Sequence, residues 1–188
     1  GALIDPPTSD VTARCIGFLG KYGKQAHQNA VYRGVSFLLR EQEANGAWFG
    51  RWGTNYIYGT WSVLEAMQLA KQDMKHTAVR RAVQWLKSVQ REDGGWGESN
   101  DSYLDPKLAE LETSTAFQTA WALLGLMAAG EVKSESVRRG INYLLSAQSS
   151  NHLWEEPWFT APGFPRVFYL RYHGYSKFFP IWALARYR

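Results

Sequence analysis

A sixteen-residue pattern occurs three times in this chain: RGVSFLLREQEANGAW from Arg33 to Trp48, RAVQWLKSVQREDGGW from Arg81 to Trp96, and RGINYLLSAQSSNHLW from Arg139 to Trp154. Each copy has a basic residue, an aromatic four places on, then Leu, then Gln, and Trp six places after the Gln. A fixed unit returning about every 50 residues marks a repeat architecture in which one supersecondary unit stacks on the next. The residue types suggest what the pattern does. A buried Gln amide needs partners for its donors and its acceptor. A Trp ring lying on that amide shields it from water, and the basic residue can neutralise the carbonyl end of a neighbouring helix. Gln42, Trp48, Gln90, Trp96, Gln148 and Trp154 are therefore expected to be structural, a clasp between consecutive helix pairs.

The segments between turn signals read as helices. Val31, Gly34, Val35 and Leu38 follow the i, i+3, i+4, i+7 rule, as do Val79, Ala82, Val83 and Leu86, and Phe117, Ala120, Trp121 and Leu124. Val137, Ile141, Leu144 and Leu145 give a weaker fourth face, and further helices are expected at about 10–21, 55–71 and 167–186. Strand alternation is absent. Asn45–Gly46, Asp93–Gly95 and Gly130 are stop signals, and Thr113, Ser114 and Thr115 offer N-caps ahead of Phe117. Each repeat thus predicts a helix ending at its Gln, a turn, and Trp leading into the next helix. The third copy carries His152 in place of the turn glycine, so a different turn is expected there. The polar stretch Gly97–Leu111 reads as a surface loop. Its neighbouring acids Glu98, Asp101, Asp105, Glu110 and Glu112 read as solvated charge. The fold class is all-α, an array of αα-hairpins with one helix of each pair outside and the next inside, forming one domain over 1–188.

At 188 residues, with 45% hydrophobic residues and nine Trp, the chain can bury a sizeable core. The single Cys15 forbids an internal disulfide. No run of 18 apolar residues and no signal-like start occurs. A net charge of +4 without a dense Lys/Arg stripe excludes a nucleic-acid partner and fits a solvated basic face or the neighbourhood of anionic headgroups. His27, His76, His152 and His173 show no metal-ligand spacing, so neither metal nor cofactor is expected.

The clasp resembles the hallmark Gln-to-Trp motif of the squalene–hopene and oxidosqualene cyclases. DPPTSDVTARC at Asp5–Cys15, GAWFGRWGTNYIYGTW at Gly46–Trp61, GGWGES at Gly94–Ser99, TAFQTAWALLGLMAAG at Thr115–Gly130 and PGFPRVFYLRYHGYSKFFPIWALARYR at Pro162–Arg188 are similar to the bacterial squalene–hopene cyclase C-terminal region. The resemblance covers essentially the whole chain. It implies an incomplete α/α toroid of the α6–α6 barrel type and a part in the acid-initiated, cofactor-free cyclisation of squalene to hopene or hopanol. The family's acid motif, DxDD, is absent from these residues. In the family it lies ahead of the DPPT segment, so the chain, with its start at Gly1–Ser9 reading as a cut edge, is expected to be a C-terminal portion that cyclises nothing alone.

The resemblance also implies site residues. Phe164 and Phe168 match the phenylalanines that stabilise cations, Leu170, Tyr172 and Tyr175 the neighbouring wall, Trp52 an aromatic wall residue, and Tyr58 a tyrosine behind the acid. Aromatics at helical spacing also suit a plain core. Arg14 stands where the family has a basic residue paired with the acid motif, His in some members. Asp10 and Arg14, i and i+4 on one helix, are expected to pair at the surface. The implied partners are squalene and, for the full-length protein, the cytoplasmic face of a membrane held by a monotopic contact. An uncovered inner face would favour self-association. Other classes remain open: a prenyltransferase-like or glycosidase toroid, or a non-catalytic lipid-binding or scaffold module.

Overall fold

The computed structural model of the chain describes residues 6–188, save the side chains at 108, 110 and 111. The first five residues of the Gly1–Ser9 segment lie outside the described residues. Seven helices follow one another among the described residues: α1 Ser9–Tyr22, α2 Gln28–Arg40, α3 Tyr56–Leu69, α4 Thr77–Ser88, α5 Ala116–Ala128, α6 Glu135–Ser146 and α7 Tyr175–Tyr187. α2, α4 and α6 are amphipathic and bury one stripe each: Val31, Val35 and Leu38; Val79, Ala82, Val83 and Leu86; Val137, Gly140, Ile141 and Leu144. α3 and α5 are buried nearly all round, as helices packed on every side must be. α1, α3, α5 and α7 form an inner row in which each packs on the next, and the amphipathic helices lie outside it. Gly20 of α1 permits that contact, because a Cβ there would come within 2.5 Å of the Ala70 backbone. The result is a partial α/α toroid.

Four expectations need correction. Leu145 is exposed, and Gly140 takes its place on the α6 stripe. The helix expected from 167 begins at Tyr175. Before it, β3 (Ala161–Phe164) and β4 (Phe168–Leu170) form an antiparallel hairpin turned by Arg166 at φ 70°. A second ribbon pairs β1 (Trp96–Glu98) with β2 (Glu110–Thr115), so Gly97–Leu111 is not a plain loop. Thr115, at the end of β2, is the N-cap of α5, accepting from the Gln118 N–H. β1, β3 and β4 are three or four residues long, and β2, ELETST, has a single apolar residue, so no alternation shows. The third turn also differs from expectation, because it does not change shape. In all three copies the turn closes through the same hydrogen bonds, with Glu43 N, Arg91 N and Ser149 N donating to Ala47 O, Gly95 O and Leu153 O. His152 adopts φ 62°, in the left-handed region also used by Gly46 at 99° and Gly94 at 88°.

The repeat is a clasp, and its parts are now specific. The indole nitrogens of Trp48, Trp96 and Trp154 donate to Leu38 O, Leu86 O and Leu144 O, satisfying carbonyls in the last turn of each outer helix. The backbone N–H groups of Trp48 and Trp96 donate to Thr60 and Thr119 of the inner helices. Gln42 Nε2 donates to Gly46 O in its own turn and to Ala78 O on the next outer helix; Gln90 repeats this with Gly94 O and Ser136 O. Gln148 makes only the local bond, to His152 O. Arg81 and Arg139 reach back to carbonyls of the preceding turn, Glu43 O and Ala44 O, Arg91 O and Glu92 O. A Cβ at Gly46 or Gly94 would meet the Arg81 or Arg139 carbonyl at 2.8 or 2.7 Å. Among the described residues no outer helix follows the third turn, and His152 has room there. The Gln therefore ends no helix itself; it sits just past the end and joins one outer helix to the next.

Gln90→Ala removes two of these bonds, each worth about 1 kcal/mol. The melting temperature is expected to fall by several degrees, with any product pattern unchanged; altered products at unchanged stability would place the Gln in the chemistry instead.

Candidate functional site

The first turns of the inner helices gather at one end of the row, and the predicted residues sit there. Asp10, 1% exposed, does not form the expected surface pair with Arg14. Its Oδ1 accepts from the Thr8 hydroxyl and the Val11 N–H, and its Oδ2 from the Trp52 N–H at 2.7 Å. It pins the Trp52 loop to the start of α1. The Arg14 guanidinium lies 4.1 Å from the centre of the Trp61 ring and 5.7 Å from that of Tyr58. The helical i, i+4 spacing permitted the pair, but each member finds a partner on another element.

Arg14 thereby marks the edge of an aromatic cluster. Trp61 of α3 and Trp121 of α5 stack at 6.0 Å with rings 7° from parallel. Around them stand Tyr58 at 5.0 Å from Trp121, Phe117 at 5.3 Å, Phe179 at 5.4 Å and Tyr175 at 5.8 Å. Trp182 of α7 packs on Trp61, and Tyr172 lies 5.0 Å from Tyr175. Burial raises the Tyr58 hydroxyl, against the opposing pull of Arg14, and pushes Tyr175 up to about 12. Both phenols stay neutral at physiological pH. The Trp121 indole nitrogen is buried without a hydrogen-bond partner.

A second cluster forms where the β3–β4 hairpin meets the Trp52 loop. Phe164 and Phe168 pack edge-to-face at 5.5 Å. Arg51 lies 4.1 Å over Trp52 and 5.7 Å from Phe164, with Nη1 donating to Gly163 O. Leu170 stands on β4 opposite Ala161, partly exposed beside these rings. The predicted residues thus fall into two groups: Arg14, Tyr58, Tyr172 and Tyr175 in one, Trp52, Phe164 and Phe168 in the other, joined through Asp10. Trp61, Phe179, Trp182 and Arg51 were not singled out. The signal for the first two was the near-continuous apolarity of the inner helices; nothing local marks Arg51.

Carboxylates hold these helices in place. Glu98, expected to be solvated, is buried at the N-terminus of α3 and accepts from the Asn55, Tyr56 and Ile57 N–H groups. Burial raises its carboxyl, partly offset by those donors. Glu156 holds the same position in the third repeat, two residues after the Trp, and accepts from Ala116 N at the start of α5. Burial pushes it up to about 7. Glu65 joins the Trp61 indole nitrogen to Arg186 of α7 at 3.0 Å. His27 and His76 accept from backbone N–H groups beside them, Lys24 and Ala78. Among the described residues no three His, Cys, Asp or Glu side chains converge as metal ligands would.

The family model for the squalene–hopene cyclase C-terminal domain matches residues 1–188. The chain belongs to this family. It is 60% identical over its whole length to a "Probable squalene–hopene cyclase" of Sinorhizobium fredii and 58% identical to a squalene–hopene cyclase of Zymomonas mobilis, covering 29% of each. The chain thus spans under a third of the length of these relatives. Among solved structures, the ent-copalyl diphosphate synthase of Streptomyces platensis matches 97% of the chain and 34% of its own, with TM-score 0.75 and 19% identity. The type II terpene cyclase MstE of Scytonema, in complex with merosterolic acid A (product), matches 95% of the chain and 52% of its own, with TM-score 0.66 and 17% identity. At such identities the two structures show that the family fold is shared.

Glu98→Ala strands three buried N–H donors, each costing about 1–3 kcal/mol. It is expected to lower the melting temperature more than Gln90→Ala; an equal or smaller drop would show that water replaces the carboxylate at the α3 terminus.

Proposed function

We propose that the chain supplies the aromatic wall of a cavity in which squalene undergoes acid-initiated, cationic polycyclisation to hopene or hopanol. The observation that carries this reading is the guanidinium of Arg14 seated on the Trp61 face, at the edge of a cluster of seven further rings. Ring faces attract a cation without acting as a base, which is what a migrating carbocation requires. Phe164, Phe168 and Trp52 extend such faces, and Leu170, Tyr172 and Tyr175 shape the fold of the polyene. The names of the relatives support squalene as the lipid substrate.

The family's acid motif is missing from these residues. Asp10, Glu65 and Glu98 are each engaged by structural donors, and no DxDD occurs. The acid is assigned to the remainder of the full-length protein, with Arg14, Asp10 and Tyr58 behind it. A permanently charged guanidinium there keeps one carboxylate ionised while its neighbour holds the proton. Squalene is insoluble in water, and no helix among the described residues is long and apolar enough to cross a membrane. We therefore propose that the full-length protein draws its substrate from the cytoplasmic face of a bilayer by a monotopic contact.

Squalene turnover, read by mass spectrometry, tests this for the 188-residue chain beside the full-length protein. Product is expected only from the latter; product from neither would favour a lipid-binding module. In the full-length protein, Phe168→Ala removes a desolvated cation–π contact of about 2 kcal/mol, so turnover should fall roughly 30-fold with shorter-ring products appearing. Arg14→Gln should cut turnover sharply at unchanged melting temperature. Near-normal turnover would leave Arg14 a packing role on Trp61.

A further inference from the structure

Glu65 is a buried carboxylate that no helix terminus explains. It sits well inside α3, 8% exposed, among the apolar residues of an inner helix. Burial of a carboxylate there is strongly unfavourable unless partners replace the lost water. Each oxygen has such a partner. Oε2 accepts from the Trp61 indole nitrogen at 2.7 Å, one turn earlier on the same helix. Oε1 accepts from Arg186 Nη1 of α7 at 3.0 Å, and Nη2 of that guanidinium donates to Gln68.

The Trp61 end of this bridge bears on the site. A buried indole nitrogen ordinarily finds an acceptor. Trp48, Trp96 and Trp154 find main-chain carbonyls, and Trp121, which stacks on Trp61, has none. Of these five rings only Trp61 meets a carboxylate. A bond to a charged acceptor is shorter and stronger than one to a carbonyl. It also polarises the donor, pulling the hydrogen outward and leaving the ring richer in electrons. The face of that ring carries the Arg14 guanidinium, 4.1 Å from its centre, and an electron-rich ring holds a cation more firmly. Phe179 and Trp182, on the same helix as Arg186, pack edge-on against Trp61. α7 therefore reaches Trp61 in two ways, through ring contacts and through Glu65.

We propose that Glu65 is a positioning residue for Arg14. Through its bond to the Trp61 indole it sets the orientation and the electron density of the ring on which the guanidinium rests. Arg186 pairs with the carboxylate, so the charge stays buried. The inference rests on the reading of Arg14 as a partner of an acid in the remainder of the full-length protein. A loosely held guanidinium would serve that acid less well, which slows the first protonation and leaves polyene binding alone.

The test is squalene turnover by the full-length protein carrying Glu65→Gln, Trp61→Phe or both, with melting temperatures beside it. Glu65→Gln keeps the length of the side chain and an oxygen for the indole, and removes the charge. Its kcat is expected to fall roughly fivefold at unchanged KM. Trp61→Phe keeps an aromatic face and lacks the N–H, so adding Glu65→Gln to it should bring no further loss. Gln90→Ala, which weakens only the outer clasp, should melt lower at near-parental kcat. If the single Glu65→Gln variant does not fold, the pair Glu65→Gln with Arg186→Gln removes both charges and should show the same fall in kcat. An unchanged kcat overturns the proposal, as do losses from Glu65→Gln and Trp61→Phe that multiply, and Glu65 is then a fastener between α3 and α7. Arg14→Gln separates the two levels: near-normal turnover there removes the reading of Arg14 itself. A sharp loss there beside a silent Glu65→Gln removes this inference alone.

Discussion

The tryptophan of each repeat is the fastener on which the rest of the structure depends. Its indole N–H takes a carbonyl from the last turn of one outer helix, and in two repeats its backbone N–H takes a threonine hydroxyl from the inner helix that follows. One residue thereby fixes the height of an outer helix relative to an inner one, in a fully buried setting where an unmade bond is costly. The Gln and Arg then set the distance to the next unit. With both spacings fixed, rings on α3, α5 and α7 meet in register, and the Trp61–Trp121 stack is the outcome.

Both aromatic groups carry an arginine on a ring face: Arg14 on Trp61, Arg51 on Trp52. Each guanidinium lies on π density, and Arg51 also donates to Gly163 O of the β3–β4 hairpin. The buried carboxylates have donors of their own: Glu98 and Glu156 at helix termini, Asp10 on Trp52 N, and Glu65 on the Trp61 indole and Arg186. Positive charge and aromatic surface are thus brought together. That arrangement is a property of the folded backbone, because Glu98 and Glu156 hold the helix starts from which Tyr58 and Phe117 project.

Much of this was legible in the sequence. The outer helices announced themselves through a 3.6-residue period that survives because one face meets water, and the clasp through its spacing. α3 and α5 were harder to assign to the inner row, since a helix buried all round has no contrasting face. Glu98 and Glu156 look like ordinary polar-loop acids because the N–H groups they meet, at the starts of α3 and α5, are distant in sequence. Arg14 was placed by its own helix's geometry, while its real partner sits on α3. The hairpin at Phe164 and Phe168 hid among aromatics whose spacing also suits a helix, and Arg166 in the left-handed region leaves no mark of its own. Local patterns report which face of an element is apolar; they do not report which distant group will occupy a polar atom.

The units differ in how much chain separates the clasp Trp from its inner helix: little between Trp48 and α3, far more between Trp96 and α5 and between Trp154 and α7. The indole-to-carbonyl bond of the clasp is made in all three units despite the difference. Insertions and deletions are therefore channelled to one rim of the ring, where β1–β2 and β3–β4 sit, and the outer lattice keeps its pitch whatever happens there. A scaffold of this kind lets the length of that rim vary while the outer helices stay fastened, provided Glu98 and Glu156 still reach the helix starts they hold.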